Sequence, residues 1–399
     1  MEALSVLTSI AIILLLGLVI TIISKRLRIS NVLLLVLVGV GLKAISYKGE
    51  PVFEFNPVFL ISISILALVM IIFDGSSRFK IREIDTFSAD SLKLVLLFIV
   101  TNTIIITIFT TILFYPEFSI QNILFSFIFA VMMAATDPAS VFSILKSKVV
   151  RTIRLLEIEA IINTPIIVIV PFIVLDFLAA SEGGQIFESF VGQTVPFLKQ
   201  IIIGIGAGVV VGIIIFKAMR NFYHHDLSPL AIITAALISY ILAENLGGSG
   251  VLSVATMGLF FGNMYVKKKI TLKEFSSIFS NALEILVFLL VGFLISIDLS
   301  LSFFIKSAVL FILLIVSRWC AVTIALKKSG YKVKEELFIA LNMPKGIAVA
   351  AVVFSFSVKQ LQGLEIIMNL ALVFIVYSLV LSAIVDHYAK KFINVELEP

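Results

Sequence analysis

A chain of 399 residues that is 60% hydrophobic and only 14% charged does not have the polar groups to clothe a soluble domain; soluble domains carry about 25% charged residues, and so apolar a chain takes lipid as its solvent. The net charge of +5 sits in basic residues placed between apolar runs, which is a pattern of membrane topology and not of nucleic-acid binding. The single cysteine, Cys320, excludes an internal disulfide and a multi-cysteine metal centre.

The first apolar run, 3–24, is too long for a cleavable signal. Its basic residues Lys25, Arg26 and Arg28 follow it, so it is expected to stay as the first membrane span. Twelve more runs follow, at 31–46, 57–74, 92–115, 121–147, 152–178, 199–219, 227–245, 249–265, 278–297, 300–326, 335–358 and 363–386. Each is expected to reach across the ~30 Å hydrocarbon core, the second and ninth being short. Between runs six and seven, 183–198 reads as a short interfacial helix, with Ile186, Phe187, Phe190 and Val191 on its apolar side.

The connections fix an orientation. Of the 30 basic residues, 23 follow odd-numbered runs, five follow even-numbered ones, and two, Arg318 and Lys345, lie inside runs. A miscounted span would break this alternation. Positive residues stay inside, so the N-terminus is expected outside and the C-terminus in the cytoplasm, in the plasma membrane. The expected fold class is an all-α polytopic membrane protein with about thirteen transmembrane helices, residues 1–399 forming one transporter domain. Spans 1–6 begin outside and spans 8–13 inside, with span 7 as the linker, which gives two inverted six-helix repeats.

The fifth member of each repeat is interrupted. Span 5 contains Ala134-Ala135-Thr136-Asp137-Pro138, and span 12 contains Asn342-Met343-Pro344-Lys345-Gly346. Proline removes a backbone donor and breaks the helix. Within lipid such breaks persist where they line a cavity, and matched breaks in two repeats point to a transport site. Asp137 is placed to cap a half-helix with Pro138 at its first position. Lys345 is placed to balance the C-terminal carbonyls of a half-helix. Two prolines that only kink packed helices are the plain alternative.

Charges inside the membrane cost at least ~2.5–3.5 kcal/mol each and mark function. They are Asp137, Glu159, Arg318 and Lys345. Glu159 and Asn163, four apart in span 6, share a helix face. Asp137, Thr136, Glu159 and Asn163 supply the oxygens a hard monovalent cation needs, with Asp137 and Glu159 as the Na+ ligands; a buried carboxylate holds either a cation or a proton, which suffices for exchange. Arg318 is the expected partner of Glu159 in an ion pair whose role is stability.

These motifs resemble the sodium/proton antiporters of the monovalent cation:proton antiporter superfamily, and among them the NhaP-type prokaryotic branch. The resemblance rests on Ala135-Thr136-Asp137-Pro138-Ala139, on Glu157-Ile158-Glu159-Ala160-Ile161-Ile162-Asn163 and on Pro344-Lys345-Gly346. Met257-Gly258-Leu259-Phe260-Phe261-Gly262-Asn263, Phe288-Leu289-Leu290-Val291-Gly292 and Arg318 extend it over nearly the whole chain. It implies thirteen spans, a homodimer, and a core domain around 92–178 and 300–386 that moves against a dimer domain made of the remaining spans. It implies ion or transport roles for Thr136, Asp137, Glu159 and Asn163, and structural or charge-balancing roles for Arg318, Lys345, Pro138 and Pro344. The family's sixth span reads Asn-Asp, and here the second position is Thr164, which keeps a hydroxyl but does not exchange a proton near neutral pH. Ala160 likewise replaces a serine.

The leading expectation is exchange of a monovalent cation, sodium by default, for protons, with no cofactor beyond the transported ions and with the lipid bilayer as the other partner. Thr164 keeps two alternatives open on the same fold: a carrier or uniporter of an anion or neutral solute without proton coupling, and a non-transporting sensor. An intramembrane enzyme is disfavoured, because the chain contains neither His-Glu-x-x-His nor Gly-x-Ser-x-Gly.

Overall fold

The structure is a computed structural model. It describes residues 2–27, 31–43, 45–47, 50–51, 55, 57–77, 89–136, 151–180, 186–221, 224, 227–294, 300–357 and 363–392. Among them the chain is helical almost throughout. The helices are α1 (Glu2–Leu27), α2 (Asn31–Lys43), α3 (Pro57–Ser77), α4 (Ala89–Phe114), α5 (Ile120–Met133), α6 (Arg151–Ala180), α7 (Ile186–Asn221) and α8 (Leu227–Asn245). There follow α9 (Gly250–Asn263), α10 (Lys269–Leu294), α11 (Leu301–Leu326), α12 (Val333–Leu341), α13 (Ile347–Ser357), α14 (Leu364–His387) and α15 (Ala389–Phe392). A two-residue antiparallel ladder pairs β1 (Ser46–Tyr47) with β2 (Glu50–Pro51).

Lipid offers backbone groups no partner, so an apolar run must satisfy its own N–H and C=O groups as a helix. Each expected run contains one of these helices. Among the described residues, seven stretches are long and apolar enough to cross a membrane, and six further apolar helical stretches, those within α1 and α6 included, are shorter. Serines set several starts: Ser119 accepts from Asn122 N–H ahead of α5, Ser249 from Leu252 N–H ahead of α9, and Ser300 from Phe303 N–H ahead of α11. The separate interfacial helix expected at 183–198 is corrected. Ile186–Asn221 form one continuous helix of 36 residues, about 54 Å long at 1.5 Å per residue and so longer than the hydrocarbon core. Running on through Pro196 keeps paired the backbone groups that a break would expose.

The chain divides into two compact units. The smaller comprises Ile65–Phe87 and Thr164–Leu283. In it α7 packs on α8 and α9 through small residues. A Cβ at Gly204 would lie 2.7 Å from Ser249 O, and one at Gly208 would meet Ser253 O. Ser239 and Ser253 share a hydrogen bond of 2.7 Å between hydroxyls. Close backbones and buried hydroxyl pairs are how helices associate when lipid is as apolar as leucine.

The larger unit comprises Met1–Ser64, Ser88–Asn163 and Glu284–Pro399. Here α4 packs on α5 and α11. Its exposed stripe is Leu96, Val100, Ile104, Ile108 and Ile112, and its buried stripe includes Phe98, Asn102, Ile106 and Thr110. The polar groups are thus inside, the reverse of a soluble helix. Phe374 of α14 stands edge-on to Phe129 of α5 and Phe311 of α11, at 5.1 and 5.3 Å between centroids.

Also in this unit, α2 and α10 cross with their backbones close together. A Cβ at Gly39 would strike Leu289 O, and one at Gly292 would strike Val36 O, whereas one at Gly41 meets nothing within 4 Å. Backbone does not yield as a side-chain tip does. Gly39→Val is therefore expected to destabilise by at least about 1–3 kcal/mol, while Gly41→Val is close to neutral. Thermal midpoints of the purified variants in detergent check both, and equal midpoints would refute the crossing.

Candidate functional site

The end of α5 organises the site. Its last turn tightens, with Ala134 N–H donating to Val131 O at 3.0 Å and Ala135 N–H to Met132 O at 3.1 Å. These bonds span three residues instead of four, so Ala130 O loses its ordinary helical donor, and among the described residues no backbone N–H reaches the carbonyls of Met133, Ala134 and Ala135. In the membrane interior a bare carbonyl costs several kcal/mol unless a donor reaches it.

Side chains from three other segments reach all of them. Asn102 of α4 donates Nδ2–H to Ala130 O at 2.6 Å. Lys345 donates from Nζ to both Met133 O and Ala135 O, each at 2.7 Å. Asn163 of α6 donates Nδ2–H to Ala134 O at 3.3 Å. With Val131 O and Met132 O taken by the tightened turn, every carbonyl from Ala130 to Ala135 has a donor.

The second break answers the first. After α12, residues 342–346 are non-helical and buried, Pro344 among them, and α13 starts at Ile347. Lys345 N–H donates to Ser378 Oγ at 3.0 Å, and that hydroxyl donates on to Ile375 O at 3.0 Å. In the last turn of α12, Ile339 O accepts from Arg318 Nε at 3.2 Å. Each broken helix thus ends against a buried cation, Lys345 for α5 and Arg318 for α12, as the negative end of a helix dipole favours.

Arg318 does more than this. Its two terminal nitrogens donate to the two oxygens of Glu159 at 2.7 and 2.9 Å, and both side chains are 0% exposed. Phe98 of α4 lies under the guanidinium, 4.7 Å from its carbon to the ring centre. The geometry is the planar two-point match that arginine makes with a carboxylate.

Among the residues singled out in the sequence, the structure pairs Glu159 with Arg318 and sets Asn163 and Lys345 on the end of α5. Glu159, Asn163, Arg318, Lys345, Pro344 and Thr136 are all buried in the larger unit. Thr164 lies one residue beyond Asn163 on α6. Asp137 and Pro138 lie outside the described residues. Thr136 Oγ1 and Asn163 Oδ1 are buried oxygens with no hydrogen-bond partner among the described residues, free to face a cation or an ordered water. Asn102 is the residue that sequence reasoning missed. Its signal was an amide in the middle of span 4, passed over among the threonines around it.

Removing one member of the Glu159–Arg318 pair leaves a buried charge alone. Glu159→Leu and Arg318→Met are each expected to destabilise by about 3–5 kcal/mol, and the double variant Glu159→Leu/Arg318→Met by much less. A double-mutant cycle on thermal midpoints in detergent reads this coupling; additive losses would show the pair to be energetically idle.

Comparisons with known proteins give the family and the fold. A K(+)/H(+) antiporter NhaP2 from Shewanella baltica is 26% identical over 385 residues, covering 94% of this chain and 64% of that relative. The chain therefore spans just under two thirds of that relative's length. A low-affinity Na(+)/H(+) antiporter NhaS1 from Synechocystis is 32% identical over 180 residues, 42% of this chain and 32% of the relative. In fold, the chain is similar to the sodium proton antiporter MjNhaP1 from Methanocaldococcus jannaschii, with a TM-score of 0.76 at 20% identity over 98% of this chain and 99% of that one. The family described as "Sodium/hydrogen exchanger, transmembrane" matches residues 10–387, nearly the entire chain, and the protein is a multi-pass membrane protein belonging to that family.

Proposed function

We propose that this protein is a secondary transporter that exchanges a monovalent cation, sodium or potassium, for protons by alternating access. The observation that carries the reading is the pair of broken helices, whose C-terminal ends are held by Lys345 and Arg318 beside the buried oxygens of Thr136 and Asn163. Fixed cations neutralise the half-helix dipoles and leave the oxygen atoms for a mobile ion. Relatives named for K+/H+ and for Na+/H+ exchange support the cargo class.

Asp137 is assigned the exchanging role. Its carboxylate takes a cation on one face of the membrane and a proton on the other. Thr136, Asn163 and Thr164 contribute neutral oxygens. Glu159, expected at first also as an Na+ ligand, is assigned to the ion pair, because both its oxygens already accept from Arg318. Pro138 and Pro344 hold the breaks open. The protein works as a homodimer in the plasma membrane, N-terminus outside and C-terminus in the cytoplasm, with a core built around 92–178 and 300–386 moving against the remaining spans. A carrier of another cargo has one observation in its favour, Thr164 at the place of the family's second acid.

The test is cation-driven proton movement in proteoliposomes carrying a pH dye, with sodium and with potassium. Wild type is expected to respond to at least one of them, and Asp137→Asn to fall to the signal of empty vesicles. A silent wild type that becomes active as Thr164→Asp would mean an exchanger fold whose native cargo is something else.

A further inference from the structure

We infer that Asn102 is a positioning residue of the transport site: its amide fixes the unwound end of α5 from the α4 side, and so sets the cation affinity of the oxygens of Thr136 and Asn163. The inference rests on the exchange reading above and adds to it a residue that bears no charge.

Three observations carry it. The amide is fully buried, and its 2.6 Å bond goes to the one carbonyl, Ala130 O, that the tightened turn strips of its helical donor. The bond therefore belongs to the break itself and is not general adhesion between helices. Next, α4 holds both halves of the charge arrangement from one face. Phe98, one turn before Asn102, supports the Arg318 guanidinium, while Asn102 supports the α5 end that Lys345 neutralises. A shift of α4 would therefore be felt at the ion pair and at the α5 end together. Last, with Nδ2 spent on Ala130 O, Asn102 Oδ1 is a buried acceptor with no partner among the described residues. It is of the same kind as Asn163 Oδ1 and Thr136 Oγ1, and each of these oxygens lies on a residue in or tethered to residues 130–136. An acceptor in that state is completed by a water or by a cation's hydration shell.

Two substitutions separate positioning from plain stability. Asn102→Leu removes the donor and leaves Ala130 O bare. Asn102→Asp keeps the shape, but donates only while protonated; once ionised it sets a negative charge against the carbonyl. The apparent KM for sodium and for potassium is measured across pH in proteoliposomes, together with the rise in thermal midpoint that each cation produces in detergent. Asn102→Leu is expected to raise KM about tenfold at every pH, the scale of one lost hydrogen bond. Asn102→Asp is expected to match wild type at low pH and to lose affinity as pH rises, a limb that wild type lacks. The inference is overturned if both variants keep the wild-type KM at all pH values while only the maximal rate or the thermal midpoint falls. Should wild type bind a cation yet move no protons, the exchange reading fails, and the inference is judged by the cation-induced midpoint shift. If wild type neither binds nor transports, both fall together.

Discussion

The backbone carbonyls of a helix that stops inside a membrane must find donors, and the larger unit is built around that requirement. Water meets such groups at the end of a soluble helix, but here only side chains can. α5 draws on Asn102, Asn163 and Lys345, and α12 on Arg318. The aromatic packing of Phe129 and Phe311 on Phe374 and the bond from Lys345 N–H to the buried Ser378 surround these donors.

Charge follows from the same requirement. A buried cationic side chain meets each of the two helix ends, and two such charges left uncompensated would repel any cation brought near them. Glu159 removes one of them from the account by pairing with Arg318 at both oxygens. The charge on Lys345 is spread over two carbonyls. Asp137 is the remaining acid in the sequence motif. On the exchange proposed above, one carboxylate together with neutral oxygens is the chemistry left when Thr164 stands at the family's second position.

Much of this was legible in the sequence. Asp137-Pro138 and Pro344-Lys345 announced the two breaks, because proline beside a charge in an apolar run has few innocent explanations. Glu159 and Arg318 announced each other as opposite charges that lipid forbids alone. Lys345 against a half-helix end followed from the dipole. Asn102 was not legible, since an amide in a threonine-rich span carries no sign of which carbonyl it serves; that depends on a turn tightening in another helix. The continuity of α7 through Pro196 was hidden for a similar reason, as local polarity near 183–198 outweighed the regional demand for paired backbone. Gly39 and Gly292 look like other glycines until the opposing carbonyls are seen.

The reach of Lys345 also bears on how the chain is made. Met133 and the lysine that satisfies its carbonyl are 212 residues apart. At roughly 5–20 residues per second, a ribosome needs about 10–40 s to travel that far. Asn102 precedes α5 and Asn163 follows it soon after, but through that interval the carbonyls of Met133 and Ala135 await Lys345. The broken helix is thus a provisional resident of the bilayer until nearly the last span is synthesised, and insertion must shelter its end in the meantime.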